Sequence, residues 1–311
     1  MIVDVHVHPF RSVTEDQLIG QMDRADVDYA VLLAIDVDAS DVGRPEVLSK
    51  ILKRLRSSPE YRFDSWGLLS SLGVNEVSGF RRLAENSFPQ VRVTNREVKE
   101  WVDRLPNRFV GFGSVNLCKD ARYVKEGLEE ILRIGLLGVK VLPTVQFFNP
   151  SKSRNFSTVR DFCERNKMIL MCHTGCDPGP FEIPELSADA NPKFLDGPLD
   201  RYDVKTVLAH MGSYSAFHPG IWLKEALKLG EKHENVWADV AAVPFLLSER
   251  NSVEKIRASF GFDRVLFGSD YPAVAGRDMG SSISTIQSSP FLSTKEKEKV
   301  LGENARRLLN L

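Results

Sequence analysis

Net charge is what this chain has least of: 41 lysines and arginines stand against 42 aspartates and glutamates, leaving −1. That balance excludes a nucleic acid or an anionic membrane as a partner held by bulk charge. Cysteine is also scarce. Cys118, Cys163, Cys172 and Cys176 do not form the pattern of a disulfide framework, and a reducing cytoplasm suits them. No apolar run reaches the ~18 residues of a membrane span. The first residues are strand-like and carry no basic leader segment, so the protein is expected to be cytoplasmic and not exported. No low-complexity tract, short repeat or long Gly/Ser linker is present. A Gly-rich phosphate loop is missing too: Pro9-Phe10-Arg11 stands where one would follow the first strand. That argues against a doubly wound nucleotide-binding sheet.

What the chain does have is alternation. Short apolar runs at 2–8, 29–35, 109–116, 138–142, 168–173, 204–210, 236–240 and 265–270 predict eight strands. Most are continuously apolar, as parallel strands buried on both faces are. Helical spacing fills the intervals, as at 123–134, 156–165, 222–229, 253–260 and 295–309. Thr14-Glu15-Asp16-Gln17 and Thr94-Asn95-Arg96-Glu97 both fit the capping-box pattern. Most intervals are about 30 residues, the size of one βαβ unit. Eight such units predict one (β/α)₈ TIM barrel over residues 1–311. Between Ile35 and Phe109 the interval stretches to about 70 residues, with helical patterns at 45–56 and 79–86. A structureless connection of that length is improbable, so residues 37–94 are expected to form a lid or insertion.

In such a barrel the chemistry sits at the C-terminal ends of the strands. The opening run Ile2-Val3-Asp4-Val5-His6-Val7-His8 sends Asp4, His6 and His8 to one face. Two imidazoles at i and i+2 make a ready pair of metal ligands, although an exposed edge or a packed core histidine would read the same. The other strand ends add Lys140, His173, His210, Asp239 and Asp270. Four of the six histidines therefore stand at strand ends, and all these ends face one mouth. His218 and Trp222, in the loop after the sixth strand, are candidates for substrate contact. The Pro-rich, acidic segment 177–198 is expected to shape the mouth. Cys172 should point outward to the helices, and Cys176 either faces the pocket or packs. Asp4 is a partner to the ligands or a polar layer of the barrel.

Taken in order, several motifs resemble those of the amidohydrolase superfamily, in the branch of metal-dependent proteins that includes aminocarboxymuconate semialdehyde decarboxylase. They are Asp4-Val5-His6-Val7-His8-Pro9, Gly138-Val139-Lys140, His173-Thr174-Gly175, Ala209-His210-Met211-Gly212 and Phe267-Gly268-Ser269-Asp270-Tyr271-Pro272. The closing Gly302-Glu303-Asn304-Ala305-Arg306-Arg307 resembles the last helix of that family. The resemblance runs over nearly the whole chain but does not cover the insertion.

The resemblance implies that His6, His8, His173 and Asp270 bind one divalent metal, most often zinc, and that His210 stands beside it as acid/base or electrophilic partner. Lys140 is open to two readings. In binuclear relatives a carboxylated lysine at this strand end bridges two metals; alternatively it binds an anionic substrate or pairs with a carboxylate, which resemblance to the mononuclear branch favours. Relatives of this branch often pair, so a homodimer is implied. Three functions follow. The first is hydrolysis of an amide, ester or lactone C=O by metal-activated water, with Asp270 and His210 handling protons. The second is non-oxidative decarboxylation of a small carboxylic acid on the same residues. The third is a non-catalytic barrel that binds a metal or ligand.

Overall fold

In a computed structural model that describes residues 1–59, 77–274 and 276–311, the apolar runs become eight parallel strands. They are β1 (Val3–Val7), β2 (Tyr29–Leu33), β3 (Phe109–Ser114), β4 (Gly138–Val141), β5 (Ile169–Gly175), β6 (Thr206–Tyr214), β7 (Val236–Asp239) and β8 (Val265–Leu266). Each pairs with the next in chain order. Backbone bonds close the ring: Val5 N donates to Phe267 O at 3.0 Å, Asp270 N to His6 O at 2.9 Å, and His8 N to Tyr271 O at 2.9 Å. The fold is a (β/α)₈ TIM barrel. β8 is much shorter than the run 265–270 suggests, because the backbone leaves strand geometry before Asp270, whose φ is 62°.

Side-chain alternation divides the core. Val31, Leu33, Val110, Phe112, Ile169 and Met171 pack together with Val207 and Trp237 inside the barrel. Their neighbours Leu32, Val139, Leu170, Leu208 and Ala238 pack under the helices instead. Cys172 joins that outer cluster, as its position next to His173 predicts. Burying each large aliphatic side chain is worth about 1.5–3 kcal/mol. Thr14 and Thr94 form both expected capping boxes, at helices Glu15–Arg24 and Asn95–Arg104. The helix expected at 295–309 is broken by a π turn at Lys299–Glu303. Gly302 lies in that turn, where a Cβ would run into the Met1 carbonyl. The close approach seats the last helix under the start of β1.

Between β2 and β3 the chain forms helices Pro45–Ser57 and Val77–Val91 before the helix that leads into β3. Of the insertion expected at 37–94, residues 60–76 lie outside the described residues. The described part has its own apolar cluster, in which Ile51, Leu55, Phe80 and Phe88 meet Leu142 after β4 and Phe181 after β5. An ionic clasp reinforces it. The buried Asp189 carboxylate accepts from Arg54 Nη1 and Nη2 at 3.0 and 2.8 Å and from Asn149 Nδ2 at 2.9 Å, and also pairs with Lys50. The insertion is thus fastened over the strand ends that carry the candidate residues. Among the described residues no helix is long and apolar enough to cross a membrane.

Candidate metal centre and active site

β1 delivers His6 to the barrel axis, and β7 fixes how it stands. His6 Nδ1 donates to Asp239 Oδ2 at 2.9 Å, both side chains being wholly buried. That bond selects the tautomer that leaves the Nε2 lone pair facing the mouth. Asp239 Oδ1 meanwhile accepts the backbone N–H groups of His210 at 2.8 Å and Ala241 at 3.0 Å. The aspartate at the end of β7, a weak candidate from sequence, is therefore the bracket for both His6 and His210. Asp4 braces the β8 side: its Oδ1 accepts from His6 N and Ser269 N, each at 3.0 Å. Burial pushes the Asp4 carboxyl up to about 7.

His210 and Asp270 both occupy left-handed backbone, with φ of 62°. Such conformations cost about 1–3 kcal/mol each and gather at functional sites; Asp and His tolerate them better than most residues. His210 Nδ1 donates to Ala241 O at 2.9 Å, so its Nε2 remains for the site. Asp270 Oδ1 lies 3.5 Å from His6 Nε2 and 3.4 Å from His8 Nε2. Burial lowers the His6 and His8 pKa values and takes His210 down to about 4, which favours the neutral imidazole at each. Burial by itself would raise the Asp270 carboxyl, but the imidazoles around it hold it well below the usual carboxylate range.

Donor atoms of His6, His210 and Asp270 all lie within 4.8 Å of one another. Neutral imidazole nitrogen and ionised carboxylate oxygen are the donor types a borderline divalent cation takes. Lys140 is the one neighbour that could oppose it, with Nζ 3.2 Å from His6 Nε2. Burial favours its neutral amine and so weakens that opposition. The residues present fit a divalent cation. A second group, Asp196, Asp200 and His233, lies on the outside. There Lys232 Nζ already occupies the carboxylates at 2.7 and 2.8 Å.

The other sequence candidates are placed less uniformly. His173 stands beside His210, their ring centroids 4.7 Å apart, but its Nε2 faces Cys176 O at 3.0 Å and Asp177 Oδ1 at 3.5 Å. It is next to the three-donor group rather than within it. His8 meets that group through Asp270 and edge-on against the His6 ring, centroids 5.1 Å apart. Lys140 is fully buried, its Nζ at the Nε2 edge of His6, while His218 is exposed in the loop after β6. Cys176 is buried.

Above the donors opens a cavity of about 320 Å³, near the small end of ligand pockets. His8, His173, His210 and Asp270 line its floor, and His218 is not among its lining residues. Asp177 and Tyr214 also line it and were not singled out from sequence. The Tyr214 ring lies 5.5 Å from that of His210. Burial, with the Glu182 and Asp270 carboxylates nearby, pushes its hydroxyl above the usual tyrosine range. Its place four residues after a strand-end histidine was the only available signal.

Comparisons with known proteins agree with this architecture. A family model described as amidohydrolase matches residues 3–311. No curated protein matches the sequence. Among solved structures, an uncharacterised TIM-barrel protein from Bordetella bronchiseptica superposes with a TM-score of 0.68 at 18% identity, covering 99% of this chain and 98% of that one. A probable 2-pyrone-4,6-dicarboxylic acid hydrolase from Acinetobacter baumannii gives 0.61 at 13% identity, covering 100% and 99%. A 5-carboxyvanillate decarboxylase from Novosphingobium aromaticivorans, solved with bound manganese, gives 0.60 at 15% identity, covering 95% and 80%.

Proposed function

Because the chain belongs to the amidohydrolase family, we propose that it is a metal-dependent hydrolase acting on the C=O of an amide, ester or lactone in a small molecule. The observation that carries this reading is the shared floor of the cavity. Asp270 and His210 face one space, with donor atoms within 4.8 Å of each other and of His6. A hydrolase needs a base for water and a group that polarises or protonates at the same carbonyl. Asp270 is assigned as the base. His210, its Nδ1 tied to Ala241 O, directs Nε2 at the carbonyl oxygen or leaving group.

His6 and Asp270, from the three-donor group, would hold the cation together with His8, whose Nε2 lies 3.4 Å from Asp270 Oδ1, which keeps His210 for the carbonyl; His173 stands in the same ring of strand ends. The set suits zinc, and manganese is what one structural neighbour carries. Such an ion supplies Lewis acidity, which polarises a carbonyl and acidifies water. The chain's own residues do the rest. Asp239 holds the His6 ring, Asp270 takes the proton of water, and the cavity walls keep bulk water out.

Decarboxylation is the second reading, favoured by the decarboxylases among the structural neighbours. Against it, among the described residues the cavity presents Asp177 and no Lys or Arg to a substrate carboxylate, so the cation alone would receive it. An assay of the metal-loaded protein on lactones, esters, amides and aromatic acids separates the two. Hydrolysis products without CO₂ are expected; CO₂ from any of the acids at a comparable rate would overturn the proposal. Full metal occupancy with no turnover at all would leave the non-catalytic barrel.

A further inference from the structure

The cavity is lined unequally. Its floor carries the imidazoles and Asp270, but its wall is hydrocarbon. Phe10 covers one side, stacked on His8 with ring centroids 5.1 Å apart and planes 9° apart. Ile35 and Leu142 stand above the ends of β2 and β4. The insertion supplies a further side: Phe80, Leu83 and Phe88 of helix Val77–Val91 line it, and Phe80 packs edge-on against Phe181, after β5, at 5.4 Å. Among the described residues, no lysine or arginine lines the space. Its charged residues are Asp177 and Asp270, and Asp177 Oδ2 is buried without a hydrogen-bond partner.

Resting on the hydrolytic reading for the place of the carbonyl, we propose that the substrate is a neutral molecule with an apolar body, acyl or aromatic, seated against the insertion helix. A substrate with a second, distal carboxylate is excluded. Shedding water from a carboxylate is expensive unless a cation or several donors replace it, and among the described residues the wall away from the floor offers neither. The Asp177 carboxylate adds like-charge repulsion. Hydrocarbon burial works in the other direction, at about fourfold in affinity per methylene. The insertion thus selects the substrate body, while the strand ends act on its carbonyl.

Ligands that cannot be hydrolysed test this apart from turnover. Calorimetry on the metal-loaded protein compares hexyl methyl ketone with its analogue carboxylated at the far end of the chain. The ketone is expected to bind at least tenfold more tightly, and each added methylene to tighten binding about fourfold until the cavity is full. Ser87 is exposed on the insertion helix and lines the cavity. Ser87→Arg supplies the missing cation and should narrow the difference by fivefold or more. Equal or tighter binding of the carboxylate by the unaltered protein would overturn the proposal, as would a ketone that does not bind. Ketone binding without turnover of any ester would sink the hydrolytic reading and leave this one standing.

Discussion

Asp270→Asn lowers kcat by about three orders of magnitude or more and leaves the barrel folded. A positioned general base is worth about 10²–10⁴ in rate, and the amide cannot take a proton from water. It is also a weaker ligand for a cation than a carboxylate. The fold survives because asparagine tolerates the left-handed backbone at φ 62° and keeps an oxygen within reach of His6 and His8. Steady-state kinetics alongside circular dichroism check this. A variant that retains a tenth of the activity would remove Asp270 from the chemistry.

Asp239→Ala is expected to be the most destabilising of the site substitutions. It strips the partner from three buried donors at once: His6 Nδ1–H and the backbone N–H groups of His210 and Ala241. Each buried donor left unsatisfied costs about 1–3 kcal/mol, so the loss should be about 4 kcal/mol, read from denaturant midpoints. Asp239→Asn gives the contrast. Its carbonyl oxygen can serve the two backbone donors, but its NH₂ must face His6 Nδ1, which drives the ring proton to Nε2. Stability should stay near normal while metal affinity falls about 10–100-fold. If the two variants lose the same stability, Asp239 is a packing group rather than the bracket of His6.

Much of this was legible along the chain because two of its signals are local. Alternation through Val3-Asp4-Val5-His6-Val7-His8 places both histidines on one face whatever surrounds them, and a strand-end position is enough to bring Lys140, His173, His210 and Asp270 to one mouth. The brackets were legible only as alternatives, Asp4 as a partner to the ligands or a polar layer and Asp239 as an orienting group or a helix cap. The role of Asp239 depends on its meeting His6 inside the barrel from the next strand but one, 233 positions away in sequence. His210 and Asp270 enter the site on left-handed residues that break the strand period, so alternation could not give their aim. The Nε2 of His173 turns to the Cys176 carbonyl because of the path of one loop, which no periodicity encodes. The insertion showed two amphipathic helices, but an apolar face does not say what it covers. Only in three dimensions do Phe80, Leu83 and Phe88 become a cavity wall.

Metal content per chain tests the central claim most directly. Elemental analysis of the purified protein after dialysis against a divalent cation should give one ion per chain, falling toward zero in a variant with His6 and Asp270 both replaced by alanine. No bound ion in the unaltered protein, or unchanged content in that variant, would contradict a cation held at the ends of β1 and β8.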